Sequence, residues 1–253
     1  MKQGILAAKN LCKSFANNGV QNHVLNQVNL VVYERDFTVI MGASGSGKST
    51  LLYGLSGMDG ITSGEVIYRE KCISKYREKR ATVLRREDFG FIFQQMHLVS
   101  NLTILENVAV PGYLVKKIKP NEVKQRAIAL LNKMNLSEAI NRLPSQVSGG
   151  EQQRAAIARA IINTPNILFA DEPTGALNRR NSVDVLDLLT GLHEGGQTIL
   201  MVTHDIRAAL RADRILYLQD GSITGELALP PYKQEEARSR ETQISSWLAS
   251  LEW

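Results

Sequence analysis

The stretch FTVIMGASGSGKSTLLYGLSG, residues 37–57, constrains the fold more than any other part of the chain. It opens as an apolar strand, breaks into glycines and resumes with helix formers, so it reads as strand, loop and helix in immediate succession. NILFADE (166–172), TILMVTH (198–204) and RILYLQDG (214–221) are further short apolar runs, rich in Ile, Leu and Val and bounded by turn signals. Strands buried on both faces and separated by helical stretches predict an α/β core around a mainly parallel sheet. Ahead of that core, GILAAKNLCKSF (4–15) and VLNQVNLVVYERD (24–36) alternate only partially and predict a small antiparallel β lobe.

Between Gln94 and Val147 the pattern turns helical. In NEVKQRAIALLNKMNL (121–136) the apolar residues Val123, Ala127, Leu130, Leu131 and Met134 recur at three- and four-residue steps, marking one buried helix face. Residues 95–147 therefore read as a helical subdomain inserted in the α/β core. After Pro230 and Pro231 the tail is polar until ISSWLASLEW (244–253), where Ile244, Trp247, Leu248 and Leu251 follow helical spacing. That pattern predicts a short amphipathic helix, docked either on its own core or on a partner.

The 253 residues, 43% hydrophobic and 22% charged, suffice to bury about three quarters of the unfolded surface. No apolar run approaches the ~18–20 residues of a membrane-spanning helix, and MKQGILAAKN lacks the apolar core of a signal peptide. The expectation is a cytosolic protein unless a partner holds it elsewhere. Cys12 and Cys72 lack metal-site spacing and read as reduced structural thiols. The net charge of +5 gathers around Arg69–Arg86, with Lys116, Lys117 and Lys119 further on. Glu70, Glu78 and Glu87 are mixed through the first cluster, which favours a solvated face over a nucleic-acid groove and leaves contact with anionic lipid headgroups open.

GASGSGKS, Gly42 to Ser49, satisfies G-x-x-x-x-G-K-[ST] at every fixed position and in the required strand-to-helix context. Its glycines let backbone N–H groups approach phosphate oxygens, and the following helix directs its positive end at the anion. Lys48 supplies a point charge for the terminal phosphates and Ser49 a hydroxyl for Mg²⁺. By itself the motif does not separate a kinase from a GTPase or an ATP-driven motor. Asp171, ending a buried strand, is placed to hold Mg²⁺. Glu172, next along and so expected to point the other way, is free to polarise a water, which favours hydrolysis over transfer to a second substrate. His204 ends another strand of the same sheet and reads as a γ-phosphate contact, because ligands sit where strand ends meet.

VSGGEQQR, Val147 to Arg154, is a second glycine site. Ser148 with Glu151 forms a capping box, and Gly149 and Gly150 leave N–H groups exposed at a positive helix end, a second phosphate cradle. One triphosphate is already wrapped by Gly42, Ala43, Ser44, Gly45, Ser46, Gly47, Lys48, Ser49 and Thr50, so a second cradle makes sense on its other side. The simplest source is a second copy of the protein.

Over residues 1–225 the chain resembles an ATP-binding-cassette ATPase, the nucleotide-binding subunit of a membrane transporter. GASGSGKST resembles its Walker A loop, Gln94 in GFIFQQ the Q-loop glutamine, VSGGEQQR the signature, ILFADE Walker B and His204 the switch histidine, all in family order. The resemblance implies a head-to-tail homodimer that sandwiches two ATP molecules, with Ser148, Gly149 and Gly150 serving the neighbour's ATP. It also implies that Ser49, Gln94 and Asp171 arrange Mg²⁺, that Phe15 stacks on adenine, and that a coupling helix of an integral-membrane permease docks near Gln94–Val115, holding the ATPase at the cytoplasmic face. GFIFQQMHLVSNLTILENV and DEPTGALN are similar to the branch containing lipoprotein-release, macrolide-efflux and bacitracin-type peptide exporters. Three residues depart from the family pattern: Phe15 where tyrosine is usual, Val147 for leucine, and Asn178 for an interface-loop aspartate. The rival readings are an ABC ATPase powering a signalling or force-relaying complex, and a DNA-repair cassette. The latter is disfavoured because only about fifty residues of ordinary helical insertion separate the motifs, so no nucleic-acid partner is expected.

Overall fold

The computed structural model describes residues 2–17, 20–115 and 118–251; Lys116, Lys117, Glu252 and Trp253, counted above in the basic cluster and the tail helix, lie outside them. In chain order the elements begin with β1 (Gly4–Asn17), β2 (Val20–Tyr33), β3 (Phe37–Met41), α1 (Lys48–Leu55), β4 (Ser63–Tyr68) and β5 (Lys71–Cys72). Next come α2 (Glu78–Glu87), β6 (Phe89–Ile92), α3 (Ile104–Val115), α4 (Pro120–Lys133), α5 (Gly149–Ile161), β7 (Ile167–Asp171) and α6 (Arg179–Glu194). The chain closes with β8 (Thr198–Val202), α7 (Ile206–Ala209), β9 (Arg214–Gln219), β10 (Ser222–Ala228) and α8 (Ala237–Ala249). They form two compact units, Met1–Ala81 with Gly196–Trp253, and Thr82–Gly195.

In the first unit β3 is buried at all five positions, which is why its sequence shows no alternation. It pairs in parallel with β8 (Phe37 opposite Ile199) and with β9 (Thr38 opposite Arg214), and β10 continues antiparallel from β9. The expected antiparallel lobe is present, in the order β2-β1-β4-β5. Its long hairpin is interrupted by register shifts, and Asn10 and Gln27 take left-handed backbone (φ 48° and 47°). Those irregularities twist the strands and blur the alternation that sequence reading relies on.

Helix α8 docks on its own unit. Ile244 and Leu248 are fully buried, and Trp247 meets Tyr217 of β9 edge to face with ring centroids 6.5 Å apart. Arg240, 4% exposed, donates to the carbonyls of Pro230 (2.6 Å) and Ala212, and its guanidinium lies 5.9 Å from the Tyr232 ring centroid. Removing that guanidinium leaves two carbonyls without their donors and a void beneath the helix. Arg240→Ala is therefore expected to cost about 3 kcal/mol and to lower the melting temperature by roughly 5–10 °C, as read by calorimetry.

In the second unit β6 and β7 pair in parallel, and Phe89 and Phe91 of β6 pack on Phe169 of β7 with ring centroids 5.0 and 5.6 Å apart. Val123, Ala127, Leu131 and Met134 are fully buried as the periodicity predicts, while Leu130 is only half-buried. Buried Asn107 ties down the segment entering α3: its amide donates to the carbonyls of Val99, Leu102 and Thr103 and its Oδ1 accepts from the Val99 N–H. The outer side of α3 exposes Val110, Tyr113 and Leu114, at steps of three and one. Among the described residues no helix is long and apolar enough to cross a membrane.

Candidate functional site

The glycine loop lies in the first unit, between the C-terminal end of β3 and the start of α1. Gly45 and Gly47 adopt φ of +83° and +99°, a region where a side chain is strained, and Gly47 is the N-cap of α1. Gly42 is needed for a different reason: a Cβ there would land on the Leu218 carbonyl oxygen. Lys48, 8% exposed, folds back over the loop and its ammonium donates to the carbonyls of Gly42 and Ala43, both at 2.9 Å. The Ser46 hydroxyl is buried without a hydrogen-bond partner. A left-handed backbone, a desolvated ammonium and an unsatisfied hydroxyl at a helix N-terminus form a site whose polar groups fit phosphate oxygens.

Two further residues singled out in the sequence share this unit. His204, exposed, lies two residues beyond β8, and the Thr203 N–H bonds to the Ile40 carbonyl of β3. The histidine thus stands at the same strand-end edge as the glycine loop. Phe15, 45% exposed, sits on β1 opposite Asn22, with the Lys13 ammonium 4.7 Å from its ring centroid. Lys13 is itself fixed by Asp59 at 2.7 Å and by the Gly60 carbonyl at 2.5 Å. A cavity of about 500 Å³ is lined by Asn22, His23, Val24, the Ala43–Ser46 loop and Tyr217–Gly221.

The remaining candidates belong to the second unit. Asp171 ends β7 and is 7% exposed. Glu172 lies one residue past the strand with φ +45°, and its carbonyl accepts from the Gly175 N–H at 3.0 Å. Its direction therefore follows from a left-handed backbone rather than from the strand alternation that the sequence suggested. Gln94 follows β6 and lies against Gly175: a Cβ at Gly175 would come 2.8 Å from Gln94 Nε2.

Ser148 caps α5 as a full capping box. Its Oγ accepts from the Glu151 N–H at 3.3 Å and donates to Glu151 Oε2 at 2.7 Å, while its own N–H donates to Oε2 at 2.8 Å. These bonds hold the Glu151 carboxyl below the usual range for glutamate. Ser148 and Gly149 are exposed, whereas Gly150 is buried, and a Cβ at Gly150 would come 2.6 Å from the Asn181 side chain. Asn181 is positioned in turn by Asn178, which caps α6 by accepting from the Asn181 N–H at 2.9 Å. The second glycine of the signature is thus required for close packing against α6.

One residue escaped the sequence reading. Gln153, fully buried on α5, donates from Nε2 to the Pro173 carbonyl at 2.8 Å and to the Phe93 carbonyl at 3.3 Å. It ties the backbone beside Gln94 to the loop that follows Glu172. Arg159 adds a second tie by donating to the carbonyls of Met96 and His97 at 2.6 and 2.7 Å, although burial pulls its pKa down. The only signal was the second glutamine of EQQR, a polar residue on the inward face of a helix.

A glycine loop with a buried lysine, set between a central parallel strand and a helix, defines a P-loop nucleotide-binding protein of the mixed α/β class. Residues 25–175 match the family model described as ABC transporter. The chain resembles the "Dimeric structure of a post-hydrolysis state of the ATP-binding cassette MJ0796 bound to ADP and Pi", at 38% identity and a TM-score of 0.84, over 90% of this chain and 100% of that one. It is similarly close to the "Dimeric Structure of MJ0796, a Bacterial ABC Transporter Cassette", at 39% identity, TM-score 0.84 and the same coverage. The chain belongs to the ABC transporter family and is an ATPase of its cassette class.

Proposed function

We propose that the chain is the ATP-hydrolysing subunit of a membrane transporter, in which two copies close head to tail around two ATP molecules and drive a separate permease. Residues 1–225 form the cassette, with about 95–147 as its helical subdomain and 226–253 as a C-terminal tail with a short amphipathic helix. The observation that carries the reading is the pairing of two phosphate-receptive ends in one chain. One is the Lys48 loop, and the other is the capped N-terminus of α5, whose Ser148 and Gly149 face solvent. The relatives at 38–39% identity are described as dimeric, one of them with ADP and Pi, which supports the same assembly here.

In this reading the backbone of Gly42–Thr50 and Lys48 bind the phosphates, Phe15 stacks on adenine, His204 contacts the γ-phosphate and Glu172 orients the attacking water. Ser148, Gly149 and Gly150 reach the neighbour's ATP, for which Ser148 turns its hydroxyl from Glu151 to the phosphate. Ser49, Gln94 and Asp171 offer a hydroxyl, an amide and a carboxylate oxygen, a donor set suited to Mg²⁺ held jointly with the nucleotide phosphates. Bound Mg²⁺ neutralises charge on those phosphates.

The permease meets the second unit at a groove of about 230 Å³ lined by Phe89, Phe91, Phe93, His97, Pro111 and Arg159, beside the apolar outer side of α3. Such a partner places the ATPase peripherally at the cytoplasmic face of the membrane. The resemblance noted above points to export or removal of a lipophilic compound, peptide or lipoprotein.

Light scattering on the Glu172→Gln protein tests the dimer. A shift from monomer to dimer mass on adding ATP is expected, and Ser148→Arg in the same background should abolish it. A mass that ignores ATP, with the permease co-expressed as well as without it, rejects the sandwich.

A further inference from the structure

We infer that α2 and the segment leading into it form a contact surface for an anionic lipid bilayer, in addition to the permease contact. Residues 69–86 hold eight Lys and Arg against two Glu, a net charge of +6 where the whole chain carries +5. These eighteen residues thus carry more than the whole of the chain's net positive charge, and the rest of the chain sums to −1. Arg69, Lys71, Lys75, Arg77, Lys79 and Arg80 are all exposed, and α2 has no fully buried residue, so packing does not account for the cations of its first turn and of the segment before it. Some of these charges are engaged: Lys75 pairs with Glu65 at 2.6 Å, and Arg69 lies 3.9 Å from Glu34. Lys71, Arg77 and Lys79 enter no ion pair among the described residues.

What favours a bilayer is the continuity of this helix with the groove assigned to the permease, and the inference rests on that reading. Arg85 and Arg86, at the C-terminal end of α2, line the groove with Phe89 and Phe91. Lys79 lies about 10 Å earlier along the same helix, at 1.5 Å per residue, and Arg77 immediately precedes its first turn. A permease seated in the groove is embedded in lipid, so cations on the helix that runs into that groove face headgroups. Val83, 40% exposed on α2, adds an apolar side chain among the long basic stems that can dip between headgroups. Nucleic acid fits less well. Tyr76 is the segment's one aromatic residue, and the Arg80 guanidinium covers it 3.8 Å from the ring centroid, leaving that face closed to a stacking base.

The test is co-sedimentation of the full chain, without ATP or permease, with vesicles of phosphatidylcholine alone or of equal parts phosphatidylcholine and phosphatidylglycerol. Binding to the mixed vesicles only is expected, and it should weaken as salt rises. The triple variant Lys71→Gln, Arg77→Gln, Lys79→Gln should partition about 10²-fold less, from the loss of three cations near the surface, with ATPase activity and melting temperature unchanged. Equal binding to both vesicle types, or a triple variant that binds like the parent, overturns the inference. So does tight binding of a duplex oligonucleotide that the triple variant loses, since that assigns the cations to nucleic acid. Because neither ATP nor permease is present, a failed sedimentation leaves the transporter reading to the light-scattering test.

Discussion

Replacing Glu172 by glutamine is expected to lower ATP turnover by about 10² to 10⁴-fold while ATP binding is retained. The exchange keeps the side chain's size and its ability to hydrogen-bond a water, and removes only the oxygen that accepts the proton. The backbone argues for a local effect. Glu172 already sits in a left-handed conformation, with its carbonyl bonded to Gly175 and the following loop tied to α5 through Gln153 and Pro173. That surrounding network, rather than any preference of glutamate, imposes the strained geometry, so glutamine inherits it. Single-turnover phosphate release, measured beside equilibrium ATP binding, separates the two effects. Turnover within a few-fold of the parent would remove Glu172 from the role of base and leave its carboxylate as an electrostatic feature of the strand end.

The parts of this molecule that were legible in the sequence are those in which one residue type answers one physical demand. The strand FTVIM, the φ-positive glycines at 45 and 47 and the capping box of Ser148 and Glu151 are local problems, and each leaves a local signature. The same holds for the buried face of α4, apart from Leu130. What the sequence concealed depends on tertiary neighbours. Gly150 reads as an exposed phosphate cradle, yet the missing Cβ makes room for Asn181, thirty-one residues away in the chain. Gln153 is one of two adjacent glutamines, and only the fold shows which of them turns inward to Phe93 and Pro173. Asn178 stands out as a departure from a family pattern, yet in the chain it performs the cap that an aspartate would also supply, so the fold of α6 is indifferent to the exchange. Its consequence lies with whatever the side chain meets across a dimer.

Lys48→Met should abolish measurable ATP binding, a loss of about 10²-fold or more if two charge-assisted phosphate bonds of about 1.5–3 kcal/mol each disappear. The lysine is not idle before nucleotide arrives. The residue is 8% exposed and its ammonium donates to the carbonyls of Gly42 and Ala43, so the loop is held closed over its own cation. ATP must draw that ammonium away from two neutral carbonyls, and it does so because a phosphate oxygen carries formal charge where a carbonyl carries only a dipole. Methionine keeps the length and apolar stem and removes the charge, leaving the two carbonyls without their donor beside the unsatisfied Ser46 hydroxyl. The same substitution should therefore also destabilise the nucleotide-free protein, by about 1–3 kcal/mol. Calorimetric ATP titration and a melting curve on one sample read both effects. A variant that loses ATP affinity but melts like the parent would show that the carbonyl contacts contribute nothing to the resting loop, and that Lys48 acts on the phosphates alone.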